Sequence, residues 1–233
     1  MRIDLRDGKV TADPRCDRLE HFDERSKSYR VDLLGAEQQK TVRWEVPVQL
    51  DQGMEGACVG FGISHALAVH GVRVDNLSAR QLYWATQLSD AWRGGAYPGA
   101  CPHYEGTAVL YGLKTTKELG LIGGYTWAFS LADVIDGLQH GPAVLGCRWS
   151  QGMASTDAHG FVVYDDQALV GGHCACITGA DIRYRFLTIK NSWGTGWGAN
   201  GCCHISFPDF EKLLANKGEV AFIQQVQKIQ KGE

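Results

Sequence analysis

Apolar residues follow two rhythms along this chain. From Cys58, the residues Val59, Ile63, Ala66 and Leu67 recur at helical spacing with His70, and Gly71 is placed to stop that helix. Further helices are predicted over 78–89 with Asn76 or Ser78 as cap, over 107–119 ending at Gly120, and over 130–140 ending at Gly141-Pro142. The stretch 94–105, rich in glycine, proline and aromatics, reads as a loop. After Pro142 the period shortens. Strands are predicted over 143–147, 161–164, 173–178, 186–190 and 202–207, followed by a short helix over 209–216 and a last strand over 220–226. A helical half followed by a β half is an α+β arrangement.

Residues 1–40 obey neither rhythm. They hold nine Lys/Arg and nine Asp/Glu, too much charge for a core of their own. Leu19, Phe22, Tyr29, Leu33 and Leu34 are the anchors available to pack this segment on the rest, and Val46-Pro47-Val48 leads into the main domain. The expected organisation is a strap or short pro-segment over 1–44 and a domain over 45–233, with its helical lobe at about 55–141 and its β lobe at about 142–233.

Composition narrows the classes. At 233 residues with 44% hydrophobic and 21% charged residues, the chain can bury one large core or two sharing an interface. A net charge of −3 leaves no basic footprint for nucleic acid. Apolar runs are too short to span a membrane, and the opening residues Met1 to Asp7 lack the apolar core of a secretory signal. The eight cysteines are therefore expected to be mostly reduced thiols in a cytoplasmic setting.

The densest chemistry lies in Ile189-Lys190-Asn191-Ser192-Trp193-Gly194-Thr195-Gly196-Trp197-Gly198-Ala199-Asn200-Gly201. Its glycines imply tight backbone, and its tryptophans imply a polar group shielded from water. Gly171-Gly172-His173 lies upstream by 18 residues (191 − 173), and Gln52-Gly53-Met54-Glu55-Gly56-Ala57-Cys58 ends 133 upstream (191 − 58). A cysteine at a helix start, followed much later by a histidine and an asparagine, has the order of a thiol nucleophile with its base and orienter.

Those three motifs resemble the papain-like cysteine peptidases, over about residues 45–225. The resemblance implies a two-lobe fold, a helical lobe followed by a β-barrel-like lobe with the cleft between them. It implies Cys58 as nucleophile, His173 as general acid and base forming an ion pair with it, Asn191 as the group that orients His173, and Gln52 as oxyanion donor. Trp193 would cover the His173–Asn191 bond. Glu105-Gly106-Thr107 resembles the family's glycine-bearing cleft edge, where Gly106 would pair with an extended substrate; on the same residues Thr107 could instead cap the following helix. Three positions depart from the family: Glu55 replaces a bridging cysteine, Val59 a tryptophan and Gly172 an acidic residue.

The remaining candidates are weaker. His65 and His70 fall in the first helix and His103 and His159 in loops, with structural or solvated roles expected; His140 at a helix end suits the C-terminal dipole, and His204 lies in a strand. No C-x₂-C pair or H-x₃₋₅-H spacing marks a metal site, and no metal or other cofactor is expected. The implied activity is hydrolysis of peptide or protein substrates through an acyl-thioester. The alternatives are a papain-like structural module, such as a virion or assembly component, and a thiol amidase or acyl transferase acting on a cell-wall peptide. The compact form resembles bacterial and phage members of the family. Family pro-segments that inhibit are usually longer than this leading segment, which favours the strap.

Overall fold

The computed structural model describes residues 2–3, 10–11, 13–31 and 39–226. The anchors Leu33 and Leu34 lie outside the described residues.

Among the described residues five α-helices form: α1 (Cys58–Val69), α2 (Asn76–Ser89), α3 (Val109–Glu118), α4 (Leu131–Leu138) and α5 (Phe207–Ala215). Every residue of α1 from Cys58 to Ala68 is buried, so it is a central helix covered all round. It ends at His70, with Gly71 in the left-handed conformation at φ +87°. The cap of α2 lies earlier than expected. The Asp75 carboxylate accepts the Ser78 N–H while the Ser78 hydroxyl accepts the Asp75 N–H, and Asn76 turns away to accept the Asp51 amide. Thr107 does not cap α3: its hydroxyl donates to the Asp90 carboxylate, and the helix starts two residues later. Ser130 and Ser206 cap α4 and α5 through their side chains.

The strands are β1 (Arg2–Ile3), β2 (Val10–Thr11), β3 (Val42–Arg43), β4 (Gly124–Ala128), β5 (Ala143–Ser150), β6 (Phe161–Val162), β7 (Leu169–Asp181), β8 (Phe186–Lys190), β9 (Cys202–Ser206) and β10 (Glu219–Gln224). β1 pairs with β2. The other eight form one sheet in the order β4-β10-β5-β7-β8-β9-β6, with β3 also on β7. β4 was not foreseen; it pairs antiparallel with β10 and so joins the β half.

The strict two-residue alternation of the central strands places the cleft. On β5, β7 and β10, Ala143, Leu145, Cys147, Ala175, Ile177, Val220 and Phe222 face a core shared with α4 and α5. The intervening Val144, Cys174, Cys176, Ala221 and Ile223 face a second core shared with α1 and α3. The β half therefore begins at β4, ahead of the expected boundary, because Val134, Ile135 and Leu138 of α4 pack on its outer face. No helix among the described residues is long and apolar enough to cross a membrane.

Candidate active site

Cys58 opens α1, where unsatisfied backbone amides favour negative charge. α1 packs against β7, which carries His173, and β8 delivers Asn191 beyond its last residue. His173 Nε2 donates to Asn191 Oδ1 at 2.8 Å, and the Ser192 amide donates to the same oxygen at 2.8 Å. The imidazole is walled by tryptophans: Trp149 meets its ring at 4.7 Å between centroids and Trp193 at 5.0 Å. Trp193 packs on the His173 ring; Trp149 was not foreseen, since a tryptophan in a strand carries no signal of what it faces.

Gln52 is held from both sides. Its backbone amide donates to the Ser192 carbonyl, and its Oε1 accepts the Ser192 hydroxyl at 2.7 Å. Its Nε2 is thereby turned into the cleft, where it donates to the Glu55 carbonyl at 2.7 Å and to the Arg15 carbonyl at 3.2 Å. Ser192 is thus a further residue of the site. Glu55, at the position of the family's bridging cysteine, forms an ion pair with Arg80 at 2.8 Å. All eight cysteines are unpaired.

The contact with Arg15 overturns the expected strap. The leading segment crosses the cleft beside Cys58. The Arg15 guanidinium stacks 3.8 Å over the Trp193 ring. The Asp17 amide faces the Cys58 sulfur, together with the Cys174 amide. Arg18 N–H donates to the Gly172 carbonyl at 2.8 Å, and Leu19 N–H donates to the Thr107 carbonyl at 3.0 Å. The segment therefore bridges a β-half edge and a helical-half edge. Both edges depend on missing side chains: a Cβ on Gly172 would lie 1.9 Å from the Arg18 carbonyl oxygen, and one on Gly106 1.9 Å from that of Asp17. Gly106 lies against Asp17 of the covering segment, but its amide donates to the Tyr83 hydroxyl and its carbonyl accepts from Gln87, while Thr107 supplies the bond to Leu19. The supposed anchors Phe22 and Tyr29 are 45% and 60% exposed, whereas Cys16, Asp17 and Arg18 are buried, as are Ser26 and Val31 further on.

This covering sets the protonation states. Burial pushes the Cys58 thiol up to about 12, against the pull of the Cys174 and Asp17 amides. Burial pushes the His173 imidazole down to about 4, against its bond to Asn191 and the facing Arg15 carbonyl. Among the described residues His173 Nδ1 has no hydrogen-bond partner. In the covered site burial works against the charged forms of both groups, and so against the expected thiolate–imidazolium pair. Of the other histidines, His65 is buried, with Nε2 accepting the Leu50 amide at 3.3 Å, which is a structural role. Among the described residues no group of three or more His, Cys, Asp or Glu could hold a metal ion.

No family model matches the chain. It is 19% identical to an uncharacterized peptidase C1-like protein of Acanthamoeba polyphaga mimivirus over 202 residues, which take in 68% of this chain and 64% of that protein. It superposes on xylellain, a cysteine protease from Xylella fastidiosa, with a TM-score of 0.71 and 15% identity, covering 94% of this chain and 99% of the other. The proform of the ragweed pollen cysteine protease Amb a 11 gives 0.59 at 16% identity, with 96% and 72% covered. The digestive procathepsin L 3 of the Tenebrio molitor larval midgut gives 0.57 at 16% identity, with 91% and 77% covered. At these identities the likeness establishes the fold, which is that of the papain-like cysteine proteases, in agreement with the motif reading.

Proposed function

We propose that this chain is a cysteine-type endopeptidase whose cleft is closed by its own residues 13–19. One observation carries the reading: Gln52 Nε2, the His173–Asn191 pair and the helix-start Cys58 converge on the backbone of the same bound segment. A surface that already holds an extended chain by its backbone, with a thiol and an imidazole against it, suits peptide hydrolysis.

Displacing the segment readmits water. The Cys58 thiol then falls and the His173 imidazole rises, so that a proton passes from sulfur to Nδ1 and the ion pair forms. The thiolate attacks the scissile carbonyl carbon, and the developing oxyanion accepts hydrogen bonds from Gln52 Nε2 and the Cys58 amide. Nδ1–H protonates the leaving amine as the C–N bond breaks, giving an acyl-thioester. His173 then takes a proton from water, hydroxide adds to the thioester, and the thiol leaves. Asn191 keeps Nδ1 aimed at the reacting atoms by holding Nε2.

The test is reaction of the intact chain with an epoxysuccinyl probe, alongside cleavage of a mixed peptide pool. Labelling should fall on Cys58 ahead of the other seven cysteines once the segment is loosened, and Cys58→Ala should remove all cleavage. A folded chain with the segment displaced that neither labels nor cleaves would sink the reading. The covered cleft also fits a second one, a non-cleaving assembly module plugged for good, and that negative result is the one it predicts.

A further inference from the structure

The segment in the cleft brings a second thiol to the nucleophile. Cys16 lies between two fixed points: the Arg15 carbonyl accepts from Gln52 Nε2 at 3.2 Å, and the Asp17 amide faces the Cys58 sulfur. The Cys16 amide donates to the Asp13 carbonyl at 2.9 Å, which closes a turn. Beyond it, Arg18 N–H holds the Gly172 carbonyl, and Arg18 Nη1 donates to Glu219 Oε1 at the start of β10 at 2.7 Å, with side-chain exposures of 1% and 9%. These contacts fix the place to which Cys16 comes when the segment docks.

Strand geometry selects which thiol Cys16 can meet. Gly172 pairs with Arg148 of β5 on one edge of β7 and with Asp17 of the segment on the other. Cys147 of β5 is therefore two strand spacings from the segment, about 10 Å. A disulfide needs Cα atoms no more than about 7 Å apart. Cys174 turns its sulfur under α1, where a Cβ on Gly62 would lie 2.8 Å from it. Cys58 is different: the amide that faces its sulfur belongs to the peptide bond between Cys16 and Asp17. In the docked state the Cys16 side chain packs into the core on the β side. It can turn to Cys58 about its own Cα–Cβ bond while the segment is still entering, before that core closes on it.

We propose that Cys16 is a resolving cysteine for Cys58: oxidation of the open site by a hydroperoxide ends in a Cys16–Cys58 disulfide that fastens the segment in the cleft. The inference rests on the peptidase reading for the displaced segment and the free thiolate. The Cys58 thiolate attacks the terminal oxygen of the hydroperoxide. The O–O bond breaks, the sulfur is oxidised to a sulfenic acid, and the other oxygen takes up a proton and leaves as an alcohol, or as water from hydrogen peroxide. The returning segment delivers Cys16. His173 takes the Cys16 proton, the Cys16 sulfur attacks the Cys58 sulfur, the S–O bond breaks, and hydroxide leaves with that proton as water. A dithiol reverses the bond, being oxidised to its own disulfide as both cysteines regain their protons. Buried neutral thiols are poor nucleophiles, so the covered site does not react and the cross-link forms from the open state alone. It returns an exposed nucleophile to cover before the irreversible sulfinic stage is reached.

The test treats the full chain with hydrogen peroxide, alkylates it with iodoacetamide and maps it by mass spectrometry without reduction. A linked pair of peptides holding Cys16 and Cys58 should appear, with the loss of two hydrogens from the intact mass. Cys58 alkylation should fall in step with it and return on addition of dithiothreitol. In Cys16→Ser no linked pair should form, and peroxide should carry Cys58 on to the sulfinic acid, which dithiothreitol does not reverse. Cys147→Ser should keep the linkage, and circular dichroism checks that each variant folds. If Cys16→Ser does not fold, the linked pair in the unaltered chain decides alone. Loss of Cys58 labelling that dithiothreitol fails to restore in the unaltered chain overturns the inference. So does linkage of Cys16 to another cysteine, or a Cys58 that excess peroxide leaves reduced. None of these readouts needs catalysis. A linked pair in a chain that cleaves no peptide upholds the cross-link and removes the peptidase reading. Peptide cleavage by a chain that forms no linked pair overturns the cross-link and leaves the peptidase reading standing.

Discussion

The leading segment has two adjoining stretches that behave in opposite ways. Residues 16–18 are a cysteine, an aspartate and an arginine, and they are buried at 1%, 7% and 4% exposure. A few residues on, Phe22 and Tyr29 are the large apolar side chains, and they stand out in solvent. Cys16 and, further on, Val31 do reach the core, but the burial of Asp17 and Arg18 does not follow hydrophobicity. It follows backbone hydrogen bonds to two glycine-lined edges and one ion pair to an acid inside the cleft. Apolar anchors would have made a brace; polar, backbone-led contacts make an occupant of a site that handles peptides. The outer stretch is tied down separately, by Arg30 on Asp133 at 2.7 Å and by Glu20 on Arg148 at 2.6 Å.

That contrast can be broken most forcefully at Arg18. Arg18→Ala leaves Glu219 buried without its partner, and losing one member of such a pair costs about 3–5 kcal/mol. The segment should disengage, and alkylation of Cys58 by iodoacetamide at pH 7 should rise by a factor of 100 or so. An unchanged rate would mean that the ion pair does not hold the cleft shut. Of comparable size, Gln52→Ala in that freed background should cut turnover by about 10²–10³, the usual loss of one oxyanion donor. Its effect on docking should be only about 1 kcal/mol, because in the covered state it removes one neutral hydrogen bond. Equal losses in both assays would deny Gln52 a separate part in turnover.

Acid gives a smaller and graded effect. Burial pushes Glu20 up, but the bonds from Arg148 and Lys217 outweigh it and hold the carboxyl at about 2, below its ordinary 4.5. A depressed carboxylate contributes stability that is complete above the unfolded value and lost as pH falls from there through about 2. His173 and His65, held down to about 4 and about 3 chiefly by burial, add a loss that begins as pH drops below 6.5. Thermal midpoints should therefore fall from pH 6.5 downward, and Glu20→Gln should flatten the limb below about 4.5. Smallest of all, Phe22→Ala and Tyr29→Ala should change stability by no more than about 0.5 kcal/mol and leave Cys58 labelling where it was. A large effect from either would restore the apolar strap.

The candidate set was legible through three motifs that resemble those of the papain-like peptidases. Cys58 begins a helix, His173 lies within a strand, and Asn191 follows one, so each inherits its place from local structure. The period-two strands were equally legible, although β4 was missed: Gly124-Tyr125-Thr126-Trp127-Ala128 lies among helices in the chain and becomes a strand only by pairing with β10. Helix starts slipped by a residue or two wherever several cap-competent residues stood together, as at Asp75-Asn76-Leu77-Ser78. The path of residues 13–19 was out of reach. Its partners Gly106, Gly172 and Glu219 are scattered along the chain and meet only in the fold; Gly106 and Gly172 stand in recognisable motifs, but neither motif shows that residues 13–19 would be what they meet. Gly172, read at first as a lost acid, makes room for Arg18.

The occupant of the cleft is attached to it. Residue 19 and the start of the domain at about residue 45 belong to one chain, so the segment competes for the cleft as an intramolecular ligand. Short tethers give effective concentrations on the order of millimolar. A peptide of the same sequence added from outside at micromolar levels would face about a thousandfold disadvantage without any difference in contacts. The fastening can therefore be weak, contact by contact, and still keep the cleft filled. A single break in the tether would forfeit that advantage: the segment would become a dissociable peptide, and simple dilution would empty the site.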